Sequence, residues 1–202
     1  LHIDNIAFIF QRNNSYTIDG TYSVATGVDG NIGKIFEWNY HNKILQNKDS
    51  CAKLGGSIGE FYSQRRSKDF IEMFIADTCK NYKLDFEEEV QVRGIPGYKY
   101  SARHSTLDNG TLVPENKCYC GGECVPSGTM NITSCAYGAP TFLSLPHFYG
   151  ADPYYVAQVE GLKPEKSKHE FFVTLEPRIG FCVDIALRLQ FSFLLHPVEY
   201  IT

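Results

Sequence analysis

The stretch with the clearest chemical potential is KCYCGGECVPSG, residues 117–128, which places three cysteines within seven positions. Clustered thiols either bind a metal ion or form disulfides in an oxidising compartment. A zinc site favours C-x2-C pairs with further Cys or His at set distances. This cluster instead reads C-x-C-x3-C, and the nearest histidines, His104 and His147, lie more than ten positions away. We therefore predict disulfides, and no metal or other cofactor.

Glycosylation signals support an oxidising compartment. Motifs of the form Asn-x-Ser/Thr begin at Asn13, Asn109 and Asn131, all in polar stretches typical of turns. Three such motifs favour a secreted or lumenal surface, on which cysteines pair. We therefore predict N-glycosylation at these asparagines and a secreted or lumenal location.

Seven cysteines leave one without a partner. Cys182 stands apart in a strand-like run, so we predict that it is the free thiol. The other six are Cys51, Cys79, Cys118, Cys120, Cys124 and Cys135. Spacing alone does not choose among their many possible connectivities. Cys120 and Cys124 can meet if the two glycines between them form a tight turn with positive φ.

The GGSIG stretch, residues 55–59, matches the G-x-S-x-G nucleophile elbow of serine hydrolases. This motif has meaning only between a strand and a helix, where the turn exposes the serine. The flanking SCAKL and EFYSQRRS are a poor strand and an unclear helix start. We interpret the stretch as a flexible loop, keep a Ser57 esterase as a remote alternative, and expect no enzyme activity. His147 is interpreted as a hydrogen-bonded structural histidine, with ligand contact as the alternative.

A basic cluster precedes the longest predicted helix, which runs from Ser67 to about Tyr82. Cations at a helix start oppose the helix dipole, so the cluster indicates either an anionic ligand or an ordinary solvated surface. The predicted apolar stripe of the helix is Ile71, Phe74, Ile75, Thr78 and Tyr82. Met73 falls on the opposite side and is predicted to face solvent. The cations around it are Arg65, Arg66, Lys68, Lys80 and Lys83.

Most of the remaining chain is predicted to form strands. Apolar residues occupy every odd position from Phe181 to Leu195, which indicates one long strand whose apolar face lines the interior of the fold. Residues 84–92 and 171–175 alternate in the same way, and 176–180 read as a turn. We also predict strands at 5–11, 20–25, 33–38, 98–103 and 141–145, and a short helix at 153–160. The class is mainly β with a few helices (α+β), with an antiparallel sheet.

Composition excludes some functions. The net charge of the 202 residues is −4, which argues against a nucleic-acid partner. No run approaches the roughly 18 apolar residues of a membrane span. The N-terminus begins in the middle of a strand-like pattern. We therefore expect residues 1–202 to be a segment of a longer chain that forms one domain or part of one.

Three longer stretches carry a resemblance: CAYGAPTFLSLPHFYGADP at 135–153, VEGLKPEKSKHEFFVTLEPRIG at 159–180 and ALRLQFSFLLHP at 186–197. They resemble the class B scavenger receptor family, which includes the fatty-acid translocase, the high-density-lipoprotein receptor and the lysosomal integral membrane protein. The wording of PHFYGADPYY and KHEFF is most similar to the invertebrate croquemort-like members. The similarity runs from about Asn13 to Pro197.

This resemblance implies that residues 1–202 are the second half of a single ectodomain, without its membrane spans. The family ectodomain has an antiparallel β-barrel core, a helical apex and a hydrophobic tunnel. The family's bridges fall on Cys51–Cys118, Cys79–Cys135 and Cys120–Cys124, and Asn13 matches a family glycosylation position. Helix 67–82 matches an apical helix whose ligand-contacting aromatic pair lies near Met73 and Phe74. Cys182 departs from the family pattern.

The implied function is a receptor, at the cell surface or in the lysosome, that binds lipids, fatty acids, lipoproteins or anionic phospholipid surfaces and passes lipid through the tunnel. Roles in adhesion and phagocytosis are typical of such receptors. The alternative is a trafficking or adhesion receptor that docks a partner protein at the apical helix. The predicted ligand-binding residues are Met73, Phe74, Arg65, Arg66, Lys68 and Lys80.

Overall fold

The computed structural model describes residues 14–16, 18–64, 67–122 and 124–194. These residues form ten strands: β1 (Tyr22–Val24), β2 (Ile35–Trp38), β3 (Phe70–Ile75), β4 (Lys80–Val92), β5 (Ile95–Ser101), β6 (Thr129–Asn131), β7 (Thr141–Ser144), β8 (Phe172–Leu175), β9 (Cys182–Ala186) and β10 (Gln190–Phe193). Two short helices are α1 (Pro153–Gln158) and α2 (Lys166–His169). Further 3-10 turns cover Asp49–Ala52, Ala76–Thr78, Pro114–Cys120 and Pro146–Phe148. The predicted class, mainly β with a few helices, is confirmed.

The strands form a five-stranded sheet in the order β3-β4-β5-β8-β9, a three-stranded sheet β10-β7-β6 and a two-stranded sheet β1-β2. Every strand pair within these sheets is antiparallel, as predicted. Two clusters of buried apolar side chains meet the five-stranded sheet at β3. Met73 belongs to the larger one and Phe74 to the smaller one, because successive side chains point to opposite faces of a strand.

The prediction of a helix over residues 67–82 is wrong. These residues form β3, a 3-10 turn and the start of β4, with Ile75 paired to Lys80. Cys79 closes the connection in the left-handed conformation, at φ 48° and ψ 44°. The predicted stripe is buried, but for another reason. Because both faces of β3 are covered from Met73 to Ile75, its run FIEMFI is almost continuously apolar, and such a run also satisfies helical spacing.

The long strand predicted for residues 181–195 is divided in two. β9 pairs with β8 in the five-stranded sheet, whereas β10 pairs with β7 in the three-stranded sheet. The turn predicted at 176–180, between β8 and β9, is confirmed: Glu176 Oε2 accepts hydrogen bonds from the backbone N–H groups of Arg178 and Ile179. Gly180 has φ +73°, and a Cβ there would lie 2.2 Å from the carbonyl oxygen of Tyr62, so this position requires glycine.

Most of the other predicted elements that lie in the described residues have shorter bounds, but β4 begins at Lys80 instead of Leu84, and β5 covers Ile95–Ser101 instead of 98–103. α1 begins after Asp152, whose Oδ1 accepts a hydrogen bond from Tyr154 N at 2.8 Å, and Pro153 occupies the first turn. The predicted strand 5–11 and Leu195 lie outside the described residues. In the part of the chain that the structure describes, no helix has the length and apolar character needed to cross a membrane.

Candidate functional site

The predicted apical ligand site is not assembled as expected. Met73 and Phe74 are each only 3% exposed, so neither side chain is presented to a ligand. Met73 packs in the main core, with its sulfur 3.1 Å from the position of a Cβ on Gly59. Phe74 makes an edge-to-face contact with Trp38, with ring centroids 5.1 Å apart. The prediction that Met73 faces solvent is wrong, because it rested on helical geometry.

The predicted cations do not form one cluster in the described structure. Lys68 is exposed, pairs with Glu89 and lies over the ring of Tyr98 at 5.4 Å. Lys80 is buried, with Nζ 4.0 Å from the ring centroid of Tyr119. Burial lowers the pKa of Lys80 to about 7, which makes it a poor fixed charge for capturing an anion. Arg65 and Arg66 lie outside the described residues.

Three disulfides join Cys51 to Cys118, Cys79 to Cys135 and Cys120 to Cys124, the same pairs that the resemblance implies. The turn between Cys120 and Cys124 contains Gly121 at φ +66° and Gly122 at φ +129°, as the tight-turn argument requires. Cys118 and Cys120 lie in a 3-10 turn rather than an extended strand. Cys182 is free, and partial burial raises the pKa of its thiol.

The two described glycosylation motifs lie beside the Cys120–Cys124 disulfide. Asn109 and Asn131 are half-buried, and their Nδ2 atoms donate to the carbonyl groups of Val125 at 2.9 Å and Cys120 at 3.5 Å. Asn13 lies outside the described residues. Glycosylation at the three positions stays a prediction.

Ser57 lies in a loop rather than in a strand–turn–helix elbow. It is 4% exposed, its Oγ donates to the carbonyl of Phe61 at 2.6 Å, and the same oxygen accepts from Gly59 N at 3.0 Å. A hydroxyl engaged in this way holds the loop closed and is not presented to a substrate. The His147 ring accepts a hydrogen bond from Lys163 N at 3.1 Å, in agreement with its interpretation as a structural histidine.

A strip of exposed apolar side chains was not predicted. Five of the seven odd-numbered residues from Phe181 to Phe193 are 42–61% exposed, rather than buried as the period-two pattern predicted. We call them the apolar strip: Phe181, Ile185, Leu187, Phe191 and Phe193. Val183 and Leu189 are half-buried. Among the described strands, β9 is the last in one sheet and β10 the last in another, so the strip follows the open edges of both sheets.

Two even-numbered side chains of the same segment bind within the protein. Arg188 donates to the carbonyl of Glu170 at 2.8 Å, and Gln190 Oε1 accepts from His147 N at 3.0 Å. Asp184 is exposed, but the strip also turns apolar side chains outward, unlike a strand whose water-facing side is polar. An exposed apolar strip of this kind marks a contact surface.

A buried ionic cluster supports the sheet next to this segment. Glu87 is the extra residue of a bulge in β4, and its side chain is 9% exposed. Lys99 Nζ lies 3.0 Å from Glu87 and 2.8 Å from Glu170, and Lys166 also contacts Glu87. Burial alone raises the pKa of Glu87, but hydrogen bonds from Lys166, Ser101 and Lys99 hold that pKa well below its usual value. The run of three glutamates at 87–89 gave no sign that only the first turns inward.

Comparison with known proteins agrees with this architecture. The chain matches the profile of the CD36 family over residues 2–202. It is 39% identical over 201 residues to Protein peste of Drosophila melanogaster, covering 98% of this chain and 36% of that protein. It is 34% identical to Lysosome membrane protein 2 of Mus musculus, covering 93% and 40%. It is 32% identical to Scavenger receptor class B member 1 of Cricetulus griseus, covering 94% and 37%.

The matched region includes nearly all of this chain but only about two fifths of the length of these relatives. Family membership rests on the profile match, on several relatives above 30% identity, and on the mainly antiparallel, disulfide-bridged fold. The resemblance carried by residues 135–197 is therefore confirmed, and the chain belongs to the CD36 family of class B scavenger receptors.

Proposed function

We propose that this chain is the lipid-contacting part of a membrane-anchored scavenger receptor and that the apolar strip lies against acyl chains. The observation that carries this proposal is the outward orientation of the apolar side chains along β9 and β10. The receptor class follows from the family. The lipid ligands are the ones that the family resemblance implies: fatty acids, lipoproteins and anionic phospholipid surfaces.

Energetics support an apolar cover for the strip. Fully burying a large apolar side chain contributes about 1.5–3 kcal/mol, so leaving each half-exposed loses roughly 1 kcal/mol. Phe193, the most exposed strip residue at 61%, and Ile185 at 47% both lose stabilisation in water. Lipid chains or apolar side chains of the full-length protein would recover it. A tunnel wall needs apolar side chains that other side chains do not fill, and the strip supplies such a face.

The location follows from the same features. Three disulfides suit an oxidising compartment, and one relative is named as a lysosome membrane protein. We propose a location on the extracellular side of the plasma membrane or on the lumenal side of the lysosomal membrane. No catalytic role is proposed, and the inactivity of Ser57 stays a prediction.

Docking of a partner protein is the competing function, but the helix predicted at 67–82 as its docking surface is not formed, because these residues form strands and a turn.

The test of the proposed function is lipid extraction and mass spectrometry on the purified full-length receptor, followed by uptake of a fluorescent phospholipid. Phe193→Tyr adds a hydroxyl that is harmless in water but costly against acyl chains. We expect it to reduce uptake several-fold, whereas Ser192→Thr, on the half-buried even side, should leave uptake unchanged. Absence of co-purified lipid together with normal uptake by the tyrosine variant would reject the proposal.

A further inference from the structure

A cleft separate from the apolar strip combines an apolar floor with a cationic rim. It has a volume of about 350 Å³, and Ala102, Leu107 and Leu145, all less than 9% exposed, form its floor. Arg103 lies at the rim, and Pro164 forms part of the wall. None of the residues lining this cleft belongs to the strip, so the inference does not depend on lipid contact there.

Arg103 has unused capacity to bind an anion. Within the described part of the chain, its guanidinium makes one ion pair, with Nη1 3.6 Å from Glu87 Oε1. That separation is too long for a hydrogen bond, and a guanidinium has five N–H donors. Glu87 is already contacted more closely by Lys99 and Lys166. A cation with free donors beside buried apolar side chains fits a ligand with an acidic head and a short apolar body.

Two histidines hold the wall of this cleft in place. The backbone N–H of Lys163 donates to His147 Nδ1 at 3.1 Å, and that of Glu165 donates to His169 Nδ1 at 2.8 Å. These two N–H groups flank Pro164 on either side. The imidazole rings stack with centroids 4.4 Å apart and planes 11° from parallel. Both Nδ1 atoms must be unprotonated to accept these bonds, so the wall is fastened only while both rings are neutral.

Acid acts against this arrangement, because protonation of His169 at Nδ1 converts the acceptor of the Glu165 N–H into a donor. Burial of His169 and the neighbouring His147 lower the pKa of His169. Among the facing charges, Glu165 favours protonation, whereas Lys168 and Arg188 oppose it. Because the folded-state pKa is lowered, the stabilisation is present above the ordinary histidine pKa of about 6.5 and is lost as the pH falls below it.

We propose that this cleft binds a small amphiphilic anion through Arg103, and that the stacked imidazoles of His147 and His169 keep its wall closed at neutral pH and release it in acid. Binding at neutral pH followed by release in an acidic compartment would let the receptor discharge this ligand after internalisation.

The test is calorimetric titration of the full-length receptor in nanodiscs with octanesulfonate, which stays anionic in acid, after subtraction of empty nanodiscs. At about pH 7.4 we expect binding that weakens roughly 10–100-fold in Arg103→Gln, as for loss of charge-assisted hydrogen bonds. Uncharged 1-octanol should bind equally to both proteins. No saturable binding at neutral pH, or no dependence on Arg103, would overturn the site.

The histidines are tested with the double variant His147→Asn/His169→Asn. Asparagine carries its oxygen one bond beyond Cγ, as histidine carries Nδ1, and it tolerates the left-handed backbone of residue 147 at φ +53°. Between about pH 7.4 and about pH 5, we expect the affinity of the wild type for octanesulfonate to fall at least tenfold more than the affinity of the double variant. Hydrogen exchange of the segment 163–170, compared at one acidic pH, should be faster in wild type. The same acid loss in both proteins, or equal exchange, would overturn the role of the histidines.

Discussion

Removal of the Lys99 ammonium is predicted to be among the most damaging single changes in the sheet. Lys99 is 13% exposed and lies between two carboxylates, Glu87 and Glu170, whose side chains are 9% and 6% exposed. Breaking a buried ion pair by removing one partner costs about 3–5 kcal/mol, because the remaining charge has no compensation. Lys166 also contacts both carboxylates, so we expect Lys99→Met to fall near the lower end of this range.

The change is measured by urea denaturation of the disulfide-bonded protein, with Lys168→Met as the matched control. Lys168 pairs with Glu165 on the surface, at side-chain exposures of 64% and 46%, and such a pair contributes about 0–1 kcal/mol. Both variants replace lysine with methionine, so their difference isolates the burial of the ion pair.

The pH dependence provides a second check. In wild type the pKa of Glu87 is lowered, so its stabilising contribution is present at neutral pH and is lost only as the pH falls below the ordinary value of 4.5. Without Lys99 the carboxyl group of Glu87 binds a proton more readily, so the stability deficit of Lys99→Met should shrink between about pH 7 and pH 4.5. A deficit no larger than that of Lys168→Met, or one that does not change with pH, would refute this account of the cluster.

Three further predictions concern other parts of the molecule. Peptide mapping without reduction should recover Cys51–Cys118, Cys79–Cys135 and Cys120–Cys124. Cys182 alone should be alkylated, and slowly at neutral pH, because burial raises the pKa of its thiol. A free thiol at Cys120 would contradict the Cys120–Cys124 bridge. Met73→Glu should prevent secretion of folded protein, because it buries an unpaired carboxylate. Glu72→Gln changes the exposed neighbour of Met73 and should be secreted normally. Equal secretion of the two variants would contradict the strand assignment. Ser57→Ala removes two hydrogen bonds and should reduce the free energy of unfolding by about 1–3 kcal/mol, which is measured as a lower melting temperature. The same change should leave any ester hydrolysis by the full-length protein unchanged. If it abolished ester turnover, the Ser57 esterase would become the favoured function.

The sequence predicted the strands with good alternation but not which of their faces would be covered. β8 and the part of β4 from Leu84 onward were predicted correctly, because polar and apolar residues alternate over residues 171–175 and 84–92. β3 was predicted as a helix because a run apolar on both sides, such as FIEMFI, has no period of its own. The pattern at 181–195 identified the apolar side chains but not their exposure, since burial depends on what packs against that face.

The site was less predictable than the fold, because contacts across long sequence separations determine it. Glu87 and Glu170 are joined through Lys99 only by the β5–β8 pairing, and no local pattern encodes that meeting. His147 and His169 stack although twenty-two positions separate them in the chain, and nothing in the sequence connected them. The disulfides were the exception, since the family resemblance supplied long-range pairs that spacing left open.

Site-specific photo-crosslinking tests the proposed lipid contact of the apolar strip most directly. A benzophenone side chain placed at position 193 or 185 of the full-length receptor should form adducts with acyl chains of a loaded radiolabelled phospholipid. The same probe at position 192 or 184 should form adducts mainly with protein or water, because Ser192 and Asp184 are the polar neighbours of Phe193 and Ile185. Adducts exclusively with protein at positions 193 and 185 would show that the strip is covered by packed side chains, and would contradict its role in lipid contact.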